Sequence, residues 1–418
     1  MSNLFRTITL LFLLLAASGV SYAQDKTDHE LVEEMNRKIQ NMPNVEVGKG
    51  VSFMPKDSLF KLNIRFRMQN MAGLYFDDDF NQTQTDMMVK RLRLRFEGYM
   101  FTPKLTYTIQ LGFSPYDTKN SETNSFLNII RDAVVYYIPS PSFNIGFGQT
   151  KIQSSRARVN SSSALQFVDR SIVNSTFQID RDFGIFASYN RRLFNDFNLV
   201  TKASITSGEG RNYGSNKKSG FAYTGRVELF PLGRFKSMGD VLEGDYEREE
   251  TPKFMIAGAY SYNQNATNIS GQLGNAIFNG ETRNIGSYFV DLIFKYRGFA
   301  FYTDFMGRTT NESPIVVDNV TGEKQYMYKG QGINFQTSYI FPSNWEIALR
   351  NSTLFPDKEI QPLVKYSSFN QTTIGVTKYI IGHSLKVQFD ASYNAKKMIE
   401  PTVNGNGYEF RLQVELGI

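Results

Sequence analysis

From Phe60 to Gln69 the chain alternates without a break. Phe60, Leu62, Ile64, Phe66 and Met68 fall on one face, and Lys61, Asn63, Arg65, Arg67 and Gln69 on the other. A period of two marks a strand with one apolar and one polar face. The pattern returns at Leu92, Leu94 and Phe96 against Arg91, Arg93, Arg95 and Glu97, and again at Leu385–Asn394 and Tyr408–Ile418. Strands of soluble sandwiches usually run about five or six residues. These run to about ten, the length that crosses a bilayer at the tilt of a closed barrel.

The connections carry the same message. About sixteen strands are predicted, centred near residues 64, 94, 109, 134, 146, 186, 201, 225, 258, 291, 302, 335, 348, 375, 389 and 413. Long and short connections alternate between them. The long ones are expected near 70–88, 114–130, 150–181, 207–219, 263–285, 307–329, 351–370 and 395–407; the short ones include Pro139–Ser142, Arg191–Asp196, Phe341–Asn344 and Ile380–His383. Long external loops, short periplasmic turns and an even strand number describe an outer-membrane barrel. Residues 231–253 break the rule: their position predicts a short turn, and alternation gives no reason for their length. The fold class expected is therefore all-β, a transmembrane antiparallel barrel over residues 58–418 with a short N-terminal periplasmic segment.

Composition narrows the alternatives. Mean hydropathy is negative and aromatics reach 14%, so beyond the leader no stretch suits a membrane-spanning helix. Aromatics gather near predicted strand ends, as at Tyr99 and Phe101, Tyr136 and Tyr137, and Tyr339 and Phe341, where interfacial girdles would sit. Residues 1–23 read as a signal peptide, with Arg6, the apolar run Ile8–Ala17 and the small residues Ser21 and Ala23. Within residues 24–57, Leu31, Met35 and Ile39 at four-residue spacing suggest a short amphipathic helix or a fraying tail. The chain has no cysteine, which removes disulfides and acylation at a thiol.

If the apolar faces meet lipid, Lys61, Arg65, Arg67, Arg91, Arg93 and Arg95 face the lumen on two consecutive strands, with Glu97 as the one acid among them. Such a basic wall concentrates anions, and guanidinium groups take phosphate or carboxylate oxygens in pairs. It is equally open to a structural reading, in which acids on a constriction loop neutralise the arginines. The third external loop, about 150–181, is the candidate to fold inward; it carries Lys151, Arg156, Arg158, Arg170 and Arg181 against Asp169, Asp180 and Asp182.

Three short motifs add a resemblance. Gly146-Phe147-Gly148-Gln149-Thr150-Lys151, Phe167-Val168-Asp169-Arg170-Ser171 and Asp180-Arg181-Asp182-Phe183-Gly184 resemble the phosphate-selective porin O and P family, as does Phe230-Pro231-Leu232-Gly233-Arg234-Phe235. The resemblance implies a barrel of about sixteen strands, usually a homotrimer, with a basic constriction. It carries Lys151, Arg170 and Arg181 over as shared motif residues, with Asp169 and Asp182 as candidate ion-pair partners, and makes the long 231–253 connection a family trait. The final Ile418 departs from the aromatic that ends many such barrels.

The expected function is passive diffusion of small polar solutes, anions such as phosphate favoured, across a bacterial outer membrane. The alternative is a closed-lumen barrel serving structure, adhesion or export. An enzyme is not expected: the two histidines, His29 and His383, fall in the tail and in a predicted periplasmic turn, away from any outer-leaflet site. Asp77, Asp78 and Asp79 suit weak calcium binding or a solvated loop. Gly208-Glu209-Gly210-Arg211 is half a dinucleotide fingerprint without its helix. No cofactor, metal or nucleic acid is expected; the partners are membrane lipid, small anionic or polar solutes and further copies of the chain.

Overall fold

The computed structural model describes residues 44–46, 49–55, 58–118, 128–212, 218, 220–400 and 405–418. The expected signal peptide and amphipathic helix lie outside them. A hairpin of β1 (Asn44–Glu46) and β2 (Gly50–Phe53) comes first. Then follow β3 (Phe60–Asp77), β4 (Gln82–Met100), β5 (Thr102–Gly112), β6 (Ile130–Ser140), β7 (Phe143–Lys151), β8 (Arg181–Phe194), β9 (Phe197–Thr206) and β10 (Ala222–Phe230). The second half holds β11 (Lys253–Ala266), β12 (Arg283–Tyr296) and β13 (Phe299–Thr309). A loop hairpin, β14 (Ile315–Val317) and β15 (Lys324–Tyr326), precedes β16 (Gly330–Ile340), β17 (Trp345–Pro356), β18 (Tyr366–Ile381), β19 (Leu385–Met398) and β20 (Gly407–Gly417). Short helices punctuate the loops: α1 (Pro115–Thr118), α2 (Arg156–Val159), α3 (Ile172–Phe177) and α4 (Gln361–Val364).

Apart from the two small hairpins, sixteen antiparallel strands pair in sequence order and close where β20 meets β3, from Gly407↔Asp77 to Gly417↔Arg67. Closure leaves the lipid-embedded backbone with its hydrogen bonds made inside the sheet. The strand β20 makes the two faces plain. Leu412, Val414 and Leu416 are 46, 42 and 42% exposed, whereas Gln413 and Glu415 are 1 and 0% exposed. An inside-out distribution of this kind places lipid outside and a polar lumen within.

Two expectations about the wall change. Residues 70–88 are not a long loop: β3 and β4 run on to Asp77 and back from Gln82, and Asp77 closes the tight turn by accepting from the backbone of Asp79 and Asn81. That role absorbs the acid of the 77–79 cluster that faces the turn. Residues 44–53, placed in the periplasmic tail, instead extend the sheet, with β2 pairing against Leu62–Ile64 of β3 below the end of β20.

The lumen is partly filled. Loop 152–180 lies inside the barrel, where Ile152, Val173, Phe177 and Ile179 form an apolar cluster with inward residues Phe186, Met255, Phe289, Ile293, Met306 and Leu354. An apolar patch on the inner face of a barrel has no use in water; here the loop covers it. The serines Ser155 and Ser171 accept from the backbone N–H groups of Arg158 and Asn174, starting α2 and α3. The loop's exposed carbonyls are then taken up by wall side chains. Lys386 and Gln388 donate to the Leu165 carbonyl at 2.9 and 3.0 Å, Thr377 to Gln166 at 3.2 Å, and Arg350 to Asp169 at 2.8 Å.

The length of the 231–253 connection now has a physical account. It enters the lumen from the opposite end and meets loop 152–180. Lys295 on β12 clamps it, donating to the carbonyls of Gly239, Leu242 and Gly244 at 2.7, 2.9 and 2.6 Å. Glu243 accepts from the Gln166 backbone at 3.0 Å and from Gln336 at 3.1 Å.

His383, in the turn between β18 and β19 where the sequence placed it, is turned inward at this junction. Its Nδ1 donates to the Ser163 carbonyl at 3.0 Å, and its ring lies 5.4 Å from that of Tyr246 and 5.1 Å from that of Tyr379. Burial, with Lys386 nearby, pushes the imidazole down to about 3. The unfolded chain therefore binds this proton more readily than the folded one, and stability is whole above about pH 6.5 and falls as the pH drops toward 3. Replacing His383 with glutamine is expected to flatten that decline. Heat-denaturation midpoints at pH 7.5 and 4.5 test it: an equal acid loss in wild type and variant excludes the histidine as its source.

Candidate pore and its basic wall

Two β-bulges shape the wall. Between Gln69↔Arg91 and Asn70↔Val89 an extra residue, Lys90, joins β4; between Gln110↔Asp132 and Leu111↔Ile130 another, Arg131, joins β6. A bulge lets two successive side chains share a face. Lys90 and Arg91 both enter the lumen, as do Arg131 and Asp132, and all four are at most 5% exposed. Sequence alternation counts one inward residue at each place, so Lys90 and Arg131 were invisible to it.

A cavity of about 730 Å³ opens beside this wall. Its lining carries ten basic side chains, Arg67, Arg91, Arg93, Arg95, Arg131, Lys151, Arg158, Arg170, Arg181 and Arg211, and five acidic ones, Asp117, Asp132, Asp169, Asp180 and Glu209. A second cavity of about 240 Å³, lined among others by Arg65, His383 and Ile418, shares Arg67, Arg93, Arg95, Gln110 and Ser161 with the first. The shared residues border both spaces, and we call this stretch the neck.

The wall residues are not equivalent. Lys61 is exposed at the foot of β3 and lines neither cavity. Arg65 and Arg95 share Glu97 at 2.8 and 2.7 Å. Arg67 donates to the Ser161 hydroxyl at 2.8 Å and stands 3.9 Å from Glu415. Arg91 donates to Gln69 at 2.7 Å and lies 3.8 Å from Asp169. Arg93 grips Asp117 with two bonds of 2.6 and 2.5 Å.

The loop residues divide more sharply. Arg156 points away from the cavity, to Glu228 at 2.8 Å and Asp240 at 3.3 Å. Arg158 and Arg181 share Asp180, at 2.8 and 3.1 Å, and Arg181 also holds Asp132 at 3.0 Å. Among the described residues Lys151 and Arg170 donate to carbonyls of that loop: Lys151 to Val159 and Asn160 at 2.9 and 3.1 Å, Arg170 to Ala157 and Asn160 at 2.7 and 2.8 Å. These close the C-terminal end of α2, where a helix favours cations.

The proposed pairings with Asp169 and Asp182 need correcting. Asp169 faces Lys90, Arg91 and Arg411, not Arg170; burial would raise its carboxyl, but Lys90 and the two arginines outweigh that and hold it at about 2. Asp182 accepts instead from Ser207 and the backbone of Gly208 and Gly210. Gly208 and Gly210 have φ of +84° and +87°, so this turn needs glycine, and the half-fingerprint is a loop anchor that carries Arg211 to the cavity. Tyr136, expected in an aromatic girdle, also lines the cavity, while Tyr137 faces out at 49% exposure.

A closed barrel with an apolar outside and a charged, partly filled lumen is the architecture of a bacterial outer-membrane channel. The chain belongs to the phosphate-selective porin O and P family, whose sequence pattern matches residues 61–416. No curated protein sequence matches it at a significant level. Among solved structures, the outer-membrane channel DcaP of Acinetobacter baumannii superposes with a TM-score of 0.52 and 12% identity, covering 88% of this chain and all of that one. OmpF of Salmonella typhi, in complex with daunomycin, gives 0.52 and 11% over 90% of this chain and all of that one. OmpT of Vibrio cholerae gives 0.51 and 8% over 87% and all of its own length. At these identities the likeness concerns the fold.

Proposed function

We propose that the protein is a passive outer-membrane porin for small polar solutes that favours anions, phosphate among them. The observation that carries this reading is the neck at Arg67, Arg93 and Arg95 bordering two cavities, the larger lined by ten bases and five acids. A confined surplus of positive charge raises the local anion concentration and lowers that of cations. The family name points the same way. We also infer a homotrimer, since OmpT of Vibrio cholerae, a barrel of the same fold, has been solved in a trimer form, and export through cleavage near residue 23.

The measurement is the reversal potential of the purified protein in a planar bilayer across a tenfold KCl gradient. A stable channel whose potential has the chloride-selective sign is expected. A cation-selective sign would retain the porin and remove the anion preference. Folded barrels without conductance would favour the closed-lumen alternative, for which loop 152–180 and the 231–252 connection, meeting inside the barrel, are the specific support.

A further inference from the structure

Asp117 is the most enclosed acid of the larger cavity. It sits on α1 in the second external loop, 1% exposed, with Ser114 anchoring the turn by donating to the Lys90 carbonyl at 2.9 Å. Arg93 from β4 forks onto both carboxylate oxygens, and Arg131 from the β6 bulge adds a third bond at 2.9 Å. Arg211 reaches the Asp117 backbone carbonyl at 3.2 Å. Burial would raise this carboxyl, but Arg93 and Arg131 hold it at about 2, so it stays ionised.

Room has been left for it. A methyl group on Gly112 would stand 2.9 Å from the Asp117 Cβ and 3.0 Å from both its Oδ2 and the Arg131 Cδ. Among the described residues the Nε of Arg131 has no hydrogen-bond partner, as is also true of Arg67 and Arg91 nearby in the wall.

We propose that the Arg93–Arg131 fork is a binding site for the carboxylate group of a solute, and that Asp117 is a tethered occupant that competes for it. The inference rests on the anion-pore reading and deepens it. A solute carboxylate entering from outside reproduces the Asp117 bonds and displaces α1; without solute, the loop's own carboxylate fills the fork. Loop two thereby weakens binding at the neck and keeps anions moving through it. Affinity and throughput pull in opposite directions in any channel, because a solute must leave as well as enter.

Acetate, the aspartate side chain cut free, is the probe. Chloride current through single channels of wild type, Asp117→Ala and Asp117→Asn is titrated with acetate at constant ionic strength. In both variants acetate is expected to block at concentrations at least about tenfold lower than in wild type, the scale of one charge-assisted hydrogen bond. Adding Arg131→Met to Asp117→Ala should abolish the gain. The heat-dependent shift of each barrel on a denaturing gel confirms folding, and the asparagine variant, alike in shape, covers a failure of the alanine one. Equal acetate sensitivity in wild type and a folded Asp117 variant overturns the proposal. A wild-type channel that is not anion-selective overturns the underlying reading instead, so the two failures are separable.

Discussion

Replacing Arg95 with glutamate and Arg67 with glutamine is expected to turn an anion-preferring channel into a cation-preferring one. Both side chains line both cavities, so an ion that crosses the neck passes them. Arg95 has Glu97 as its partner at 2.7 Å, and Glu97 also holds Arg65. A glutamate at 95 leaves two carboxylates facing one arginine. At Arg67 the neutral glutamine is the better choice, because it can still donate to Ser161 without pressing a second acid against Glu415, which is 0% exposed. Unit charges about 4 Å from a permeating ion contribute about 1 kcal/mol even in bulk water, and more between low-dielectric walls. Removing two positive charges and adding one negative therefore exceeds what a severalfold preference requires. The reversal potential in the KCl gradient should change sign. A potential that stays where it was would mean that ions bypass the neck.

The second large effect lies behind the cavity. Replacing Arg156 with methionine is expected to loosen loop 152–180 and raise single-channel conductance severalfold. Arg156 is the pin through which the loop, the barrel wall at Glu228 and the inward connection at Asp240 hold one another, and all three side chains are almost fully buried. Glu228 keeps Lys202 at 2.9 Å and Arg226 at 2.7 Å, but Asp240 is left with Arg234 at 3.8 Å. Breaking a buried pair by removing one partner costs about 3–5 kcal/mol, a large fraction of what holds a loop of this size. Noisier, larger openings with an unchanged barrel midpoint on heating are the expected record. Wild-type conductance in the variant would assign the loop's position to its apolar cluster alone.

Much of this architecture was readable in the chain. Every predicted strand centre falls within an observed strand, because lipid on one side and water or charge on the other impose strict alternation. Alternation failed where a second demand was placed on the inner face. At Lys90 and Arg131 a bulge resets the phase, so Met87 and Met88 were placed in a loop and two lumen bases were missed. On β12, inward Phe289 and Ile293 break the polar pattern because they cover loop 152–180 rather than water. Which acid meets which base was beyond the sequence altogether. Asp169 is adjacent to Arg170, yet it faces Lys90, Arg91 and Arg411, since two strands remote in sequence, β4 and β20, converge on it. The length of residues 231–253 could be seen, but not its partner, for Lys295 and Glu243 act through backbone carbonyls and amides that any sequence offers.

The filled lumen also depends on closure of the wall. Loop 152–180 is held by side chains from β3, where Gln69 donates to Ser162, through to β19, where Asp390 accepts from Val168. Those partners lie more than 300 residues apart and face one another only once the sheet has curled shut. The contacts to β3 and β19 therefore depend on closure of the wall, whereas the apolar cluster against β8–β13 does not. The narrow passage is thus a product of closure itself: the full set of contacts that seats the loop exists only in the shut barrel.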